Sequence, residues 1–182
     1  MTRPSSGLHD RILGAALHLF VDHGYRGTSL QDIATDVGCS KASLLYHFSN
    51  KEAILTELMV PVLREAVELD ARLEKLDGAD AAITAVTEFA TLAMRFRREV
   101  KLLFDNLAEA TTLDAGFPEL DGFGEGLVDA LAGRSSAPAD QVAARMALGG
   151  IFLTAADLSL DDSMLREALV TTALRTLGHT PG

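Results

Sequence analysis

The stretch from residue 28 to 51, TSLQDIATDVGCSKASLLYHFSNK, limits the possible folds more than any other part of the chain. Thr28 is a residue type that accepts hydrogen bonds from the free N–H groups at a helix start, and Gln31 follows at capping-box spacing. Gly38 can adopt the left-handed conformation that ends a helix. Between them, apolar residues recur at helical spacing: Leu30, Ile33, Ala34 and Val37. The stretch therefore opens with a short amphipathic helix and a tight turn.

Two more helix starts follow within the same stretch. Ser40 is the candidate N-cap of a second helix, whose Leu44 and Phe48 are predicted to face inward. Ser49 and Glu52 repeat the capping-box spacing and predict a third helix. A helix, a glycine turn and a second helix in this order predict a helix-turn-helix.

The second helix of this pair has the residue types of a DNA recognition helix. Such a helix carries small polar or basic side chains in its first turn, where they reach base edges in the major groove. Lys41 and Ser43 suit that role, and Ala42 allows close approach to a thymine methyl group. An ordinary αα-hairpin with a solvated polar face is the alternative that spacing alone leaves open. The residues expected to lie beside phosphates are Tyr46, His47 and Lys51.

GYRGTS at 24–29 and IATDVGCSKASLLYHFSNKEAIL at 33–55 resemble the N-terminal domain of TetR-type (TetR/AcrR) transcriptional regulators. The similarity continues in one register without a gap, so it is far more specific than a single short motif. The resemblance implies a helix-turn-helix that binds double-stranded DNA. The contact residues that it implies are Thr28, Lys41, Ala42, Ser43, Tyr46, His47 and Lys51.

Two positions depart from the family pattern. Leu45 stands where the family usually has Tyr, which removes one hydroxyl contact, although Tyr46 lies beside it. Cys39 stands where Val is usual. It either replaces that valine in a small core or acts as an oxidation sensor, because a new charge in this turn would disturb the fit to DNA.

The composition predicts an all-α protein. The chain has 182 residues, 48% of them apolar and 23% charged, which is enough apolar material for a core. Its β-branched residues do not cluster into alternating runs, so strands are not expected. We expect about nine helices in two parts. These are a three-helix helix-turn-helix DNA-binding domain over 1–50 and a helical regulatory domain for ligand binding and dimerisation over 51–182.

Several protein classes do not fit the sequence. No apolar run approaches the length of a membrane span, the N-terminus lacks a signal-peptide core, and one cysteine excludes an internal disulfide, so a cytoplasmic protein is expected. Histidines do not occur at metal-ligand spacing, and no nucleophile has a partnered base. The GFGEG run at 122–126 lacks the preceding strand and the lysine of a phosphate loop. We therefore expect no enzyme activity, no metal and no cofactor.

The net charge of −10 is concentrated in the second part of the chain. Residues 1–55 hold five basic and five acidic side chains, so the predicted DNA-binding domain is neutral. Its attraction to phosphates should be modest for each subunit, which makes binding as a dimer more necessary.

The remainder of the chain has the periodicity of further helices. A long helix is predicted from about residue 50 to 76, with Pro61 inside it as a possible kink or hinge. Helices are also predicted over about 79–97, 99–111 and 119–133. The basic run of Arg95, Arg97 and Arg98 is interpreted as a solvated face or as partners for nearby carboxylates.

The last two predicted helices, about 138–157 and 161–177, indicate a dimer. The first is apolar on most sides, so both faces need covering, and its small residues allow a second copy to approach closely. Two such helices from each subunit would form a four-helix bundle, a pairing that the family resemblance also implies. A monomer that buries both helices is the alternative. The candidate interface residues are Met146, Gly149, Gly150, Leu153, Leu165 and Leu169.

These observations predict a homodimeric DNA-binding transcriptional regulator with a palindromic operator. The resemblance implies that it is a repressor and that a small, mostly apolar effector releases it. The alternative is a helical interaction protein that keeps the fold without sequence-specific DNA binding, an alternative supported only by the neutral first domain and Leu45. The apolar candidates for an effector pocket are Met94, Phe104, Leu107, Phe117, Phe123 and Phe152, and the interior-directed polar candidates are Asn106, Thr111 and Asp157.

Overall fold

The computed structural model describes residues 5–105 and 122–180. Within these residues the fold contains nine helices and no strands, so the all-α prediction is confirmed. The first four helices lie within residues 5–73, and five more form the rest of the described chain. Their bounds are α1 Ser5–His23, α2 Leu30–Val37, α3 Lys41–His47, α4 Lys51–Leu73, α5 Gly78–Arg95, α6 Arg97–Asp105, α7 Phe123–Leu131, α8 Pro138–Ala156 and α9 Asp162–Thr176.

The helix caps correct two sequence predictions. Ser29, not Thr28, is the N-cap of α2, and Asn50, not Ser49, is the N-cap of α4. The predictions for the intervening turn are confirmed, because Ser40 caps α3 and Gly38 ends α2 in the left-handed conformation at φ 74°. Each error is a shift of one residue between adjacent polar side chains.

Two hydrophobic cores divide the described residues. The first is formed by α1, α2, α3 and the start of α4, and it also receives Leu102 from α6. The second is formed by the rest of α4 together with α5, α7, α8 and α9, and it receives Val100 from α6. The predicted division of the chain into 1–50 and 51–182 stays a prediction.

Pro61 lies where α4 passes from one core to the other. Met59 belongs to the first core and Val62 to the second, and α4 continues through the proline. Because proline has no N–H, the carbonyl of Glu57, four residues earlier, lacks its helical donor. A hinge at this point stays a prediction.

The arginines around the junction of α5 and α6 are divided between surface and interior. Arg95 is exposed and pairs with Glu65 at 2.6 Å, as the sequence interpretation expected. Arg97 is only 8% exposed, so the expectation of a solvated face is wrong for this residue. Its guanidinium bonds to the turn between α8 and α9.

No helix in the described ranges combines the length and the apolar character needed to cross a membrane.

Candidate nucleic-acid interface

A reciprocal cap fixes the start of α2. The Ser29 hydroxyl accepts from the backbone N–H of Asp32, and the Asp32 carboxylate accepts from the backbone N–H of Ser29 at 2.8 Å. The Ser29 hydroxyl also donates to that carboxylate at 2.7 Å. Bonds from the side chain and backbone of Ser29 hold the pKa of Asp32 below its ordinary value. Two free N–H groups at the helix start are thus satisfied by two side chains three residues apart.

The outer face of α3 carries the side chains expected to meet DNA. Lys41 and Ala42 are exposed in its first turn, and Tyr46 is 86% exposed in its last turn. Leu44 and Phe48 face inward as predicted and pack in the first core. A helix of seven residues is about 10 Å long, which suits a major groove about 12 Å wide.

Two more predicted contact residues lie at the edges of this face. Ser43 is half-buried and its backbone N–H donates to the Ser40 hydroxyl at 3.0 Å, which leaves its own hydroxyl at the helix start. His47 is also half-buried, and its ring meets the Tyr46 ring edge-on with centroids 5.5 Å apart. Together with Lys41, Ala42 and Tyr46, they form one continuous surface on α3.

Thr28 does not present its side chain on this surface. It is 2% exposed, and its hydroxyl donates to the carbonyl oxygens of Leu19 at 3.1 Å and Gly24 at 2.9 Å. The hydroxyl therefore holds the turn between α1 and α2 against the end of α1. A DNA contact by the Thr28 side chain stays a prediction, and the structure gives that side chain another role.

Lys51 is also engaged inside the domain. Its ammonium donates to the carbonyl oxygen of Tyr25 at 2.6 Å and to that of Thr28 at 2.9 Å. The same ammonium lies 4.3 Å from the centroid of the Tyr25 ring, which is cation–π geometry. Lys51 therefore ties the start of α4 to the turn before α2, and its predicted phosphate contact remains untested.

The sequence analysis missed two side chains of α1 that contact the helix-turn-helix. The Arg11 guanidinium donates to the carbonyl oxygen of Val37 at the end of α2. The His9 ring stacks on Phe48 with centroids 4.8 Å apart, and its Nε2 lies 3.1 Å from a carboxylate oxygen of Glu57. These partners are far apart in sequence, so residue spacing gave no signal for them.

The two departures from the family pattern differ in exposure. Leu45 is 42% exposed beside Tyr46, so an apolar side chain belongs to the outer face of α3. Cys39 is half-buried and packs against the first core. That position agrees with the interpretation that Cys39 replaces a core valine.

The candidate pocket residues are only partly brought together. Phe104 and Phe152 are in contact, with ring centroids 6.0 Å apart. Met94 and Phe123 are partly buried and pack against the second core. Asp157 is exposed and accepts from the Ser159 hydroxyl at 2.6 Å, so the expectation that it faces the interior is wrong. The other candidates lie outside the described residues: Asn106, Leu107, Thr111 and Phe117.

The candidate interface residues lie along α8 and α9, which pack against each other. Met146 is 65% exposed and Leu153 is 52% exposed, while Leu169 is buried between the helices. Between α8 and α9 runs an open groove of about 220 Å³, lined mainly by apolar side chains and threonines. The candidate residues that line it are Met146, Gly150, Leu165 and Leu169, whereas Gly149 and Leu153 lie beside it.

Comparison with known proteins identifies the helix-turn-helix. Residues 12–58 match the family model described as bacterial regulatory proteins, tetR family. The HTH-type transcriptional regulator RutR of Escherichia coli K12 is 35% identical over 99 residues, which is 54% of this chain and 45% of RutR. The negative transcriptional regulator IcaR of the Staphylococcus epidermidis biofilm operon is 49% identical over 47 residues, 26% of this chain and 25% of IcaR. The matches thus span less than half the length of these curated relatives.

A solved structure extends the similarity to the whole chain. AmtR of Mycobacterium smegmatis aligns with a TM-score of 0.72 and 28% identity, covering 99% of this chain and 90% of AmtR. The similarity of fold to that protein therefore extends beyond the helix-turn-helix to the helices that follow it. The resemblance inferred from the motifs at 24–29 and 33–55 is confirmed.

Proposed function

We propose that this chain, which belongs to the TetR family of bacterial regulatory proteins, is a DNA-binding transcriptional regulator that reads a palindromic operator as a homodimer. The observation that carries this proposal is the outer face of α3. Lys41, Ala42 and Tyr46 are exposed there on a helix whose start and end are fixed by caps. Such a protein would act where the chromosome lies, in the cytoplasm.

The groove between α8 and α9 supports a homodimer. Exposed apolar side chains such as Met146 and Met164 flank a groove with small residues in its walls, and this surface resembles half of a helical bundle. A second copy related by a two-fold axis would cover it and place two recognition helices about 34–36 Å apart, one turn of DNA. Interface roles for the candidate residues on α8 and α9 belong to this proposal.

The dimer can be tested by placing a charge on its predicted interface. Met146→Glu should convert a dimer into a monomer, because a desolvated, unpaired carboxylate would oppose association. Sedimentation velocity measures the change, and Glu68→Gln, on exposed surface of α4, is a control. A dimer that survives Met146→Glu would place the interface elsewhere.

We further propose that the protein is a repressor released by a small, mostly apolar effector. One relative, IcaR, is named a negative regulator. An effector releases the operator only if it binds one dimer shape more tightly than the other. The contact between Phe104 and Phe152 suggests where an apolar molecule would be held, beside α6 and α8.

Selection of binding sites from random DNA, followed by fluorescence anisotropy at several salt concentrations, tests the central proposal. A palindrome should be recovered, and Lys41→Ala should weaken its binding by about tenfold or more and lessen the salt dependence. Lys75→Ala removes an equally exposed lysine far from α3 and should leave binding unchanged. If no sequence is enriched and binding is weak, the chain is instead a helical interaction protein that has kept the fold.

A further inference from the structure

Arg97 is the only charged side chain in the described ranges that is buried, and the DNA-reading surface does not use it. A buried guanidinium is costly unless its donors are satisfied, because burial removes its hydration. What holds Arg97 in place therefore indicates what it does.

Four acceptors surround the Arg97 guanidinium, and all belong to the end of α8, the following turn or the start of α9. Its Nε donates to the carbonyl oxygen of Ala155 at 3.1 Å and its Nη1 to that of Leu160 at 3.2 Å. Nη2 donates to the carbonyl oxygen of Asp157, and Nη1 pairs with the Asp162 carboxylate. The carbonyls at a helix end lack intrahelical donors, and the planar fork of arginine satisfies several at once.

The helix that begins with Arg97 also contacts the DNA-binding half of the chain. Val100 of α6 lies in the second core, whereas Leu102, two residues later, lies in the first. α6 packs against α1 on one side and against α8 on the other. One short helix therefore joins the α8–α9 hairpin to the domain that carries α3.

We infer that Arg97 is a positioning residue that transmits the placement of the α8–α9 hairpin, the proposed dimer surface, to the DNA-binding domain. This inference rests on the proposed function. In a homodimer, the distance between the two recognition helices depends on how rigidly each DNA-binding domain is held relative to the shared hairpins. The bonds of Arg97 fix that relation by tying the first residue of α6 to the hairpin turn. Without them, α6 would shift relative to α8, and a range of half-site spacings would be accepted.

The test compares operators of different half-site spacing. One base pair added or removed between half-sites moves them by about 3.4 Å and rotates one relative to the other. The wild-type protein should prefer the selected spacing, and Arg97→Gln should reduce that preference by about tenfold, within the range of measured coupling energies. Affinity for an isolated half-site should stay the same, because α3 is unchanged. Arg97→Lys keeps the charge but not the fork and should give an intermediate preference.

Arg95→Gln is the matched control, since Arg95 is two residues away, exposed and paired with a single carboxylate. It should leave the spacing preference unchanged. Asp162→Asn removes one acceptor whose side chain is 70% exposed, so this variant should fold and show a smaller loss of preference. If Arg97→Gln does not fold, the spacing preferences of Asp162→Asn and Arg97→Lys are compared with that of the wild-type protein instead.

Two results would overturn the inference, and they are distinguishable. If the operator is recovered but the Arg97 and Asp162 variants keep the wild-type spacing preference, Arg97 does not position the DNA-binding domain. A lowered melting temperature with an unchanged spacing preference would mean that Arg97 only stabilises the fold. If no operator is recovered for the wild-type protein, the proposed function fails and removes the premise.

Discussion

The two halves of the molecule begin their helices in different ways. In the first half, which is built on the first core, α2, α3 and α4 each start with a side chain that accepts a hydrogen bond from a backbone N–H. The accepting side chains are those of Ser29, Ser40 and Asn50. In the second half, which is built on the second core, α5, α7 and α8 start without a side-chain cap bond. The residues at these uncapped starts are Asp77, Gly122 and Ala137.

Helix length accounts for the caps of α2 and α3 but not for every cap, since α4 has 23 residues and is capped whereas α7 has nine and is not. Helices of eight and seven residues, such as α2 and α3, are marginal on their own, so a cap contributes a large share of their stability. In the second half, two helix ends are bonded by arginine side chains that are distant in sequence. Arg134 donates to the carbonyl oxygen of Leu73 at 2.7 Å at the end of α4, as Arg97 does at the end of α8. The helix starts of the first half are thus fixed by local side-chain bonds, whereas the ends of α4 and α8 are fixed by tertiary ones.

The largest effect is expected where the local geometry of the first half is tightest. A Cβ atom at Gly27 would collide with the backbone carbonyl oxygen of His23, and backbone cannot move aside cheaply. Gly27→Ala should lower the free energy of unfolding by about 3 kcal/mol, as measured by urea denaturation. Gly14→Ala, in the open middle of α1, should instead raise it by about 0.5 kcal/mol. Equal effects at both positions would contradict this account of the turn.

Lys51→Met tests whether the first half also depends on a long-range cation. The substitution leaves the carbonyls of Tyr25 and Thr28 without the ammonium donor, so the free energy of unfolding should fall by about 2 kcal/mol. The slope of log affinity against log salt should hardly change if Lys51 does not touch phosphate. A fall in that slope of about 0.9 for each subunit would show instead that it does. Anisotropy titrations on the selected operator decide between the two.

Ser29→Ala should remove about 1 kcal/mol from the free energy of unfolding at neutral pH, because it abolishes the cap of α2. The bonds that Ser29 makes to the Asp32 carboxylate lower the pKa of that group. Their contribution is therefore complete above the unfolded pKa of about 3.9 and is lost as the pH falls through the lower folded pKa. Denaturation at pH 7 and pH 3 should show the difference from wild type shrinking in acid. Ser49→Ala is the control, because Ser49 is exposed and is not the cap of α4.

The smallest change in the free energy of unfolding is expected from adding a serine N-cap to a helix of the second half. Ala137 has the extended conformation of an N-cap, and Asp140 stands at the position that Asp32 occupies in α2. Ala137→Ser should therefore raise the free energy of unfolding by about 0.5 kcal/mol. Ala139→Ser, at the second residue of α8, should not raise the free energy of unfolding. A loss of stability at Ala137 would mean that its backbone is held too firmly by other contacts to accept the cap.

Local bonds are also the part of this structure that the sequence predicts well. Ser40 and Gly38 act on backbone groups a few residues away, so their roles can be read from spacing. That Ser29 and not Thr28 caps α2 could not be predicted from spacing, because it depends on the Thr28 hydroxyl reaching the end of α1. The contacts of Arg97 join residues 58 to 65 apart, and those of Lys51 join residues 23 to 26 apart. No periodicity in the sequence records such distances.

The exposure of Tyr46 gives this protein a built-in optical probe. The chain has two tyrosines and no tryptophan. Tyr25 lies against Phe20, with ring centroids 5.1 Å apart, and beneath the Lys51 ammonium, whereas Tyr46 stands on the surface of α3. Emission excited near the tyrosine absorption band therefore comes from one shielded ring and one exposed ring. The difference between the spectra of the wild-type protein and Tyr46→Phe isolates the ring on α3 without any attached dye.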